Sequence, residues 1–184
     1  MTVDPLVLGF DTSGAYCAAA IVRGDQVIAA HAEDMARGQA ERLVPLLEEL
    51  LAQAGVTWQE LSALAVGIGP GNFTGIRIGV ATARGLALGL ACPAIGVSGF
   101  AARRFLGLPV RINAPRGQIY TLRDAGPVLT TGAPAPECAP AELARAIARI
   151  GAAHPEEGVT PPAPLYVKAP DAAPARDAPP RILP

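Results

Sequence analysis

LAVGIGPGNFTGIRIGVATARGLALGL, from Leu64 to Leu90, is the stretch of sequence that decides the fold. Its first five residues form an apolar run of strand length. Gly69-Pro-Gly71-Asn72 cannot continue a strand, because glycine and proline interrupt the hydrogen-bonded ladder. The proline-free, alanine- and leucine-rich run from Ile76 to Leu90 predicts a helix, capped by Asn72 or Thr74. The unit is therefore a strand, a glycine-rich loop and a helix, and such a loop favours an anion at the helix N-terminus.

Neither of two common nucleotide-binding loops matches this stretch. A phosphate-binding Walker A loop requires a lysine after its last glycine, and here Ile76 follows Gly75. A dinucleotide fingerprint requires three glycines, and Thr74 stands where the third should be. The Walker A loop is therefore rejected, and dinucleotide binding is disfavoured.

The predicted helix carries two rows of small residues. Ala81, Gly85 and Gly89 share one face, because they lie four residues apart, and a neighbouring row is formed by Gly79, Ala83 and Ala87. Each glycine inside a helix costs up to about 1 kcal/mol relative to alanine. Two explanations remain open: close packing on the chain's own sheet, or close approach of a helix from another protein.

Composition sets broad limits on the class of protein. The chain has 184 residues and a formal net charge of −1, with a pI of about 6.1, which argues against a free-standing nucleic-acid-binding protein. Three cysteines without metal-like spacing indicate reduced thiols. The N-terminal residues lack the features of a signal peptide, and the apolar region from Ile76 to Ile95 contains arginines and glycines unlike a membrane span. We therefore expect a cytoplasmic protein.

The order of predicted elements indicates an α/β fold with a mixed five-stranded sheet. Three strands come first, at Leu6–Phe10, Tyr16–Arg23 and Gln26–Ala32, and a turn at Gly24-Asp25 joins the second to the third. A helix at Gln39–Ala54 follows, then the central strand–loop–helix unit and a last short strand at Ala94–Ser98. Thr57 to Glu60 has capping-box form. This order is that of the ribonuclease-H-like fold, which also builds each half of actin-like and Hsp70-like (ASKHA) proteins.

The second half of the sequence is less regular. Strands are predicted at Val110–Asn113 and Gln118–Arg123, and a helix at Pro140–Ile150. Prolines recur from His154 onward and predict an extended or disordered tail, except around Leu165–Lys168. We expect two lobes, residues 1–98 and a shortened second lobe, residues 99–184.

Asp11 is the best candidate for a chemically active acid. It ends the first strand beside Thr12 and Ser13, where it could hold a metal through water or contact a phosphate. The alternative is a carboxylate that accepts hydrogen bonds from its own turn. His31 and His154 are far apart and belong to no metal-binding motif, so no metal site is predicted. Arg77 and Arg84 could meet an anion or form surface ion pairs.

Five segments resemble the TsaB (YeaZ) family. They are FDTS at Phe10–Ser13, RGQAERLVPLLEELL at Arg37–Leu51, the GIGPGNFTGIRIGVATARGLALGL run at Gly67–Leu90, PAIGVS at Pro93–Ser98 and PLYVKAPDA at Pro164–Ala172. The resemblance implies a non-catalytic scaffold that works with TsaD and TsaE to place threonylcarbamoyl on the adenosine beside the anticodon of tRNAs reading ANN codons. TsaD, the larger paralogue, would hold the metal and ATP, and TsaE would be the ATPase of the complex.

The same resemblance implies where partners bind. TsaD is expected on the two helices of the first lobe, through Leu43, Leu46, Leu47, Leu50, Arg77, Ile78, Ala81, Thr82, Gly85 and Gly89. A homodimer of the free chain would use the same surface, and tRNA would be contacted only indirectly. Gln39 stands where TsaD has paired metal-binding histidines, so no catalytic or metal-binding residue is expected.

A nucleotide, ATP or ADP, is expected only within the complex. The loop that would contact it comprises Asp11, Thr12, Ser13, Gly69, Gly71, Asn72, Thr74 and Gly75. Asn113-Ala-Pro-Arg116 replaces the usual Asp-Ala-Arg, and the short second lobe also departs from the family pattern. Two other hypotheses remain: a nucleotide-using or glycoprotease-like enzyme acting alone, and a direct tRNA-binding protein.

Overall fold

A computed structural model describes residues 4–153 and 160–167. Five strands form one mixed sheet: β1 (Leu6–Asp11), β2 (Tyr16–Arg23), β3 (Gln26–Asp34), β4 (Ala63–Gly67) and β5 (Ala94–Val97). Their order is β3-β2-β1-β4-β5, in which the first three strands pair antiparallel and β1, β4 and β5 pair parallel. The predicted mixed five-stranded sheet of the ribonuclease-H-like fold is confirmed.

Two helices cover each face of this sheet. On one face lie α1 (Gln39–Ala54) and α2 (Phe73–Leu90), whose leucines and isoleucines pack on the side chains of Leu6, Leu8 and Phe10. On the other face, α3 (Gly99–Phe105) and α4 (Pro140–Ala152) pack against Val7 and its neighbours. Alternate residues of β1 therefore enter different cores, and the strand is buried throughout.

The second half adds a small antiparallel sheet of β6 (Arg111–Asn113), β7 (Gln118–Arg123) and β8 (Gly126–Thr131). Strand β8 contains Pro127 and was not predicted from the sequence. Because β8 lies at the edge of its sheet, a missing amide donor is tolerated there. Helix α3 was also missed, although the Ser98 hydroxyl caps it by accepting a hydrogen bond from Ala101 N at 3.1 Å.

Helix α4 lies closer to the first sheet than its place in the chain suggests. A Cβ added at Gly9 would lie 2.6 Å from the backbone of Ala148, and one at Gly151 would lie 2.7 Å from Ala65 Cβ. These contacts place a helix from the predicted second lobe on the sheet of the first. The division of the chain at residues 98 and 99 stays a prediction.

Several local predictions are confirmed. The turn at Gly24 has a positive φ of 54°, as a glycine-first hairpin turn requires. Glu60 accepts a hydrogen bond from Thr57 N at 2.7 Å, as in a capping box. Most of the proline-rich tail lies outside the described residues. Within residues 4–153 and 160–167, no helix has both the length and the apolar character needed to cross a bilayer.

Candidate functional site

The carboxylate of Asp11 is held by the turn that follows it. Asp11 is only 3% exposed. Its oxygens accept hydrogen bonds from Ser13 N at 3.0 Å, Ser13 Oγ at 2.8 Å and the Tyr16 hydroxyl at 2.6 Å. Burial and the neighbouring Asp11 carboxylate raise the pKa of Tyr16 well above its ordinary value, so the phenol stays protonated and continues to donate. This arrangement supports the structural explanation of Asp11.

The space beside Asp11 is small. A hollow of about 50 Å³ is lined by Asp11, Tyr16, Gly69 and Arg103, among other residues. The Arg103 guanidinium donates to the carbonyl oxygens of Pro109 and Pro136, at 3.1 and 2.6 Å. Ligand pockets for drug-sized molecules measure about 300–1,000 Å³. This hollow therefore has room for water rather than for a nucleotide, and a nucleotide contact by this loop stays a prediction.

The glycine-rich loop packs on the turn after β1. Asn72 N donates to Ser13 O at 2.7 Å, and Thr12 Oγ1 donates to Gly75 O at 2.7 Å. A Cβ at Gly71 would collide with the Ser13 carbonyl oxygen, and one at Gly75 with that of Thr12. These glycines therefore allow two segments of the same chain to approach closely.

The N-terminus of α2 is capped by the protein itself. Asn72 Oδ1 accepts a hydrogen bond from Gly75 N at 3.1 Å, which confirms Asn72, and not Thr74, as the cap. At Gly75 N, an oxygen of the chain itself thus takes the position that an anion bound at the helix N-terminus would otherwise occupy.

Gln39 begins α1 as a buried, hydrogen-bonded residue. Its Nε2 donates to Gly14 O at 3.4 Å, which joins the helix to the β1–β2 turn. Within the described part of the chain, no group of three or more His, Cys, Asp or Glu side chains is arranged to hold a metal ion. His31 lies on β3 with its Nε2 3.3 Å from Glu33 Oε1, and His154 is outside the described residues.

The prediction that four leucines of α1 contact a partner directly is wrong. Their side chains are at most 2% exposed and belong to the chain's own core: Leu43, Leu46, Leu47 and Leu50. The apolar stripe of an amphipathic helix faces the nearest apolar surface, which here is the sheet beneath it. The exposed side of α1 instead presents Val44 and the acids Glu41 and Glu48.

The two small-residue rows of α2 have different surroundings. Gly79, Ala83 and Ala87 are buried against the chain's own core, so close packing explains that row. Ala81, Gly85 and Gly89 are exposed, and a Cβ at either glycine would meet no atom within 4 Å. Packing on the chain's own sheet is therefore the wrong explanation for this second row. We call these three residues the α2 crest.

The other predicted contact residues of α2 lie beside the crest. Arg77 is exposed, and Ile78 and Thr82 are half-buried. Sequence reasoning missed Leu88, which is 86% exposed and is the most exposed large apolar residue described. Leu88 lies four residues after Arg84 and seven after Ala81, so these three residues share one side of a helix. This spacing could have shown from the sequence that Leu88 lies on the exposed side of α2.

Comparison with known proteins agrees with this architecture. The family model described as "TsaD: tRNA N6-adenosine threonylcarbamoyltransferase" matches residues 28–133. The chain is 41% identical over 92 residues to the tRNA threonylcarbamoyladenosine biosynthesis protein TsaB of Escherichia coli, covering 50% of this chain and 39% of that protein. It is 37% identical over 121 residues to TsaB of Bacillus subtilis, covering 62% and 53%.

A solved structure, YeaZ from Pseudomonas aeruginosa, superposes with a TM-score of 0.56 at 31% identity, covering 70% of this chain and 65% of that one. The chain spans about half the length of the curated relatives it matches, with 39% of one and 53% of another. Because the family model matches more than half of the chain and the named relatives are TsaB proteins, the chain belongs to the TsaD family and, within it, to the TsaB (YeaZ) group.

Proposed function

We propose that this chain is a non-catalytic subunit in the biosynthesis of threonylcarbamoyladenosine in tRNA. In this proposal it binds a TsaD-type transferase through α1 and α2, and the pair works with an ATPase of the TsaE type. Its relatives are tRNA threonylcarbamoyladenosine biosynthesis proteins, which supports this choice of pathway. The chain's own geometry supports a binding role, as follows.

The single observation that carries the proposal is the open α2 crest. A glycine in the interior of a helix, such as Gly85, costs up to about 1 kcal/mol relative to alanine, and Gly89 adds a second glycine in the last turn of α2. Nothing in the described structure lies close enough to Gly85 or Gly89 to require them. A surface without side chains lets the backbone of a second helix approach closely, so a partner helix accounts for both glycines.

The surroundings of the crest suit a partner that lies across both helices. A hollow of about 340 Å³ lies between the N-terminal ends of α1 and α2, lined in part by Ala40, Glu41, Thr74 and Ile78. Val44 is 36% exposed on the same side of the sheet. A partner helix could fill this hollow and cover apolar surface that water now contacts.

The site around Asp11 supports the non-catalytic part of the proposal. The Asp11 carboxylate is buried and accepts two hydrogen bonds from Ser13 and one from Tyr16, so it has little capacity left for a substrate. Gln39 is also buried and donates one hydrogen bond to Gly14 O. Both groups stabilise the turn at the end of β1.

The test combines binding and reconstitution. Gly85→Leu should lower affinity for the TsaD-type transferase of the same organism at least tenfold, measured by calorimetry, because a branched side chain holds the partner helix away. It should also reduce formation of threonylcarbamoyladenosine in an assay that contains transferase, ATPase and tRNA. The isolated chain should show no ATP hydrolysis or tRNA modification.

Arg104→Leu is the matched control. Arg104 is exposed on α3, on the opposite face of the sheet. The control therefore introduces the same leucine side chain at a surface position away from the crest, and it should leave the affinity unchanged. Unchanged affinity for Gly85→Leu would remove the basis of the proposal, as would turnover by the isolated chain.

A further inference from the structure

A short segment runs along the flank of α2 that faces away from α1. We call this segment, Thr160–Val167, the strap. A Cβ at Gly96 of β5 would lie 3.2 Å from Pro162 Cβ, and Leu165 N donates to Ile68 O at 2.8 Å. The strap therefore lies beside β5, on the same face of the sheet as α1 and α2, where a third helix could otherwise pack.

The strap meets α2 near both ends of the helix. Toward the N-terminus, the Tyr166 ring stacks on Phe73 with centroids 4.8 Å apart, and the Arg77 guanidinium lies 5.3 Å from the centroid of the Phe73 ring. Toward the C-terminus, Pro161 and Pro162 share a hollow of about 530 Å³ with Arg84 and Leu88. We call the surface between these ends the α2–strap trough.

The trough combines apolar walls with positive charge that no described carboxylate neutralises. Leu88 is 86% exposed and Tyr166 is 39% exposed. The sequence of α2 contains Arg77 and Arg84 and no acidic residue. Within residues 4–153 and 160–167, no carboxylate lies within 4.0 Å of either guanidinium. Arginine on an apolar surface pairs best with carboxylates, which it can bind with two hydrogen bonds.

We infer that the α2–strap trough binds an amphipathic helix of the TsaD-type partner that carries carboxylates beside an apolar anchor residue. This inference rests on the proposed function and extends its contact surface beyond the crest. The apolar anchor enters the hollow beside Leu88, and the carboxylates pair with Arg77 and Arg84. Those two arginines are separated by about 10 Å along α2, so matching acids seven residues apart on the partner helix would meet both.

Charge reversal tests the ionic part of this inference. Arg84→Glu should weaken binding to the same transferase about tenfold and reduce its dependence on salt concentration, because an attractive pair becomes a repulsive one. Arg104→Glu makes the same change in net charge on α3 and should leave the affinity unchanged. Both positions are exposed, so thermal unfolding should show that each variant folds like the wild type.

Removal of an aromatic ring tests the strap. Tyr166→Ala deletes the ring that stacks on Phe73 and should weaken binding severalfold. Phe105→Ala is its control, because Phe105 is a 50% exposed aromatic residue on α3. Its affinity for the transferase should match that of the wild type.

The outcomes separate this inference from the proposed function. If the wild type does not bind the transferase, the proposed function fails and the inference fails with it. If Gly85→Leu loses binding while Arg84→Glu and Tyr166→Ala bind like the wild type, only the inference is overturned. It is also overturned if Arg84→Glu leaves protein binding intact and instead lowers binding of tRNA to the assembled complex.

Discussion

At the scale of single residues, the glycines of α2 serve two different purposes. Gly75 is required because a Cβ there would collide with the Thr12 carbonyl oxygen. Gly85 has no neighbour within 4 Å of a Cβ and therefore has no structural need to be glycine in the isolated chain. The same residue type thus marks an internal contact at one end of the helix and an open surface at the other.

This difference predicts opposite effects on stability. Gly85→Ala should raise the free energy of unfolding by up to about 1 kcal/mol, because alanine favours the helix and meets no obstacle. Gly75→Ala should lower it by about 1–3 kcal/mol, because the loop must move away from the turn after β1. Urea unfolding followed by circular dichroism measures both, with Gly89→Ala as a second open position. A loss of stability in Gly85→Ala would show that the crest has an internal contact.

At the scale of elements, an ion-pair clamp joins α1 to the edge strand β3. Arg42 Nε donates to Glu33 Oε2 at 2.8 Å, and Arg42 Nη1 donates to Glu49 Oε1 at 2.7 Å. Hydrogen bonding to Arg42 lowers the pKa of Glu33 from its ordinary value of 4.5 to about 2. The clamp joins a helix of the proposed docking surface to the sheet, although exposed ion pairs contribute little to stability.

The clamp predicts a pH-dependent stability. Because the pKa of Glu33 is lower in the folded state, the unfolded state binds more protons between pH 4.5 and about 2. The contribution of the clamp is therefore complete above pH 4.5 and is lost as the pH falls toward about 2. Unfolding curves of the wild type and Arg42→Gln should differ at neutral pH and converge in acid.

Arg104→Gln is the control for this prediction, since within the described residues no carboxylate lies within 4.0 Å of its guanidinium. Its difference from the wild type should not change with pH over the same range. A constant difference for Arg42→Gln as well would contradict the assigned cause of the lowered Glu33 pKa.

At the scale of the whole molecule, the first sheet depends on a helix from the second half of the chain. α4 packs on β1 through Gly9 and on β4 through Gly151, and it buries Val7, Ala18, Ala20 and Ala65. Without α4, one face of the five-stranded sheet would be largely open to water. The crest and the trough belong to α2, which packs on the other face of the same sheet. Their positions therefore also depend on the packing of α4 against that sheet.

A shortened chain tests this dependence. A chain that ends at residue 139 lacks α4 and should lose cooperative thermal unfolding, because it exposes buried apolar surface of the sheet. A chain that ends at residue 167 keeps every described element and should unfold cooperatively, like the full chain. Cooperative unfolding of the shorter chain at an unchanged midpoint would mean that the first sheet is stable alone.

Much of the fold could be predicted from the sequence because its cues are local. The glycine-proline break after β4, the Asn72 cap and the turn at Gly24 depend on residues a few positions apart. The order of strands and helices then restricted the topology to a mixed sheet covered by helices. Strand β8 was missed because it contains a proline, and helix α3 was missed because it is short.

The candidate site was predicted only in part. The stretch from Asp11 to Ser13 and the loop from Gly69 to Gly75 were both identified, but the sequence did not show that they bind each other. The Leu43 stripe and the Ala81 row were both assigned to a partner, and the structure buries the first and exposes the second. Leu165–Lys168 was set apart from the rest of the proline-rich tail, but the sequence did not show that Tyr166 packs on α2.

By itself, then, the sequence determined most of the helices and strands, their ends to within a few residues, and which residues of each helix share a face. Only the tertiary structure decided which of those faces are covered by the chain and which stay open. Backbone preferences and capping act between residues close in sequence, so they can be read there. Burial depends on what packs opposite, and for β1 and α2 that is the turn after Asp11, a helix beginning at Pro140 and a strap beginning at Thr160.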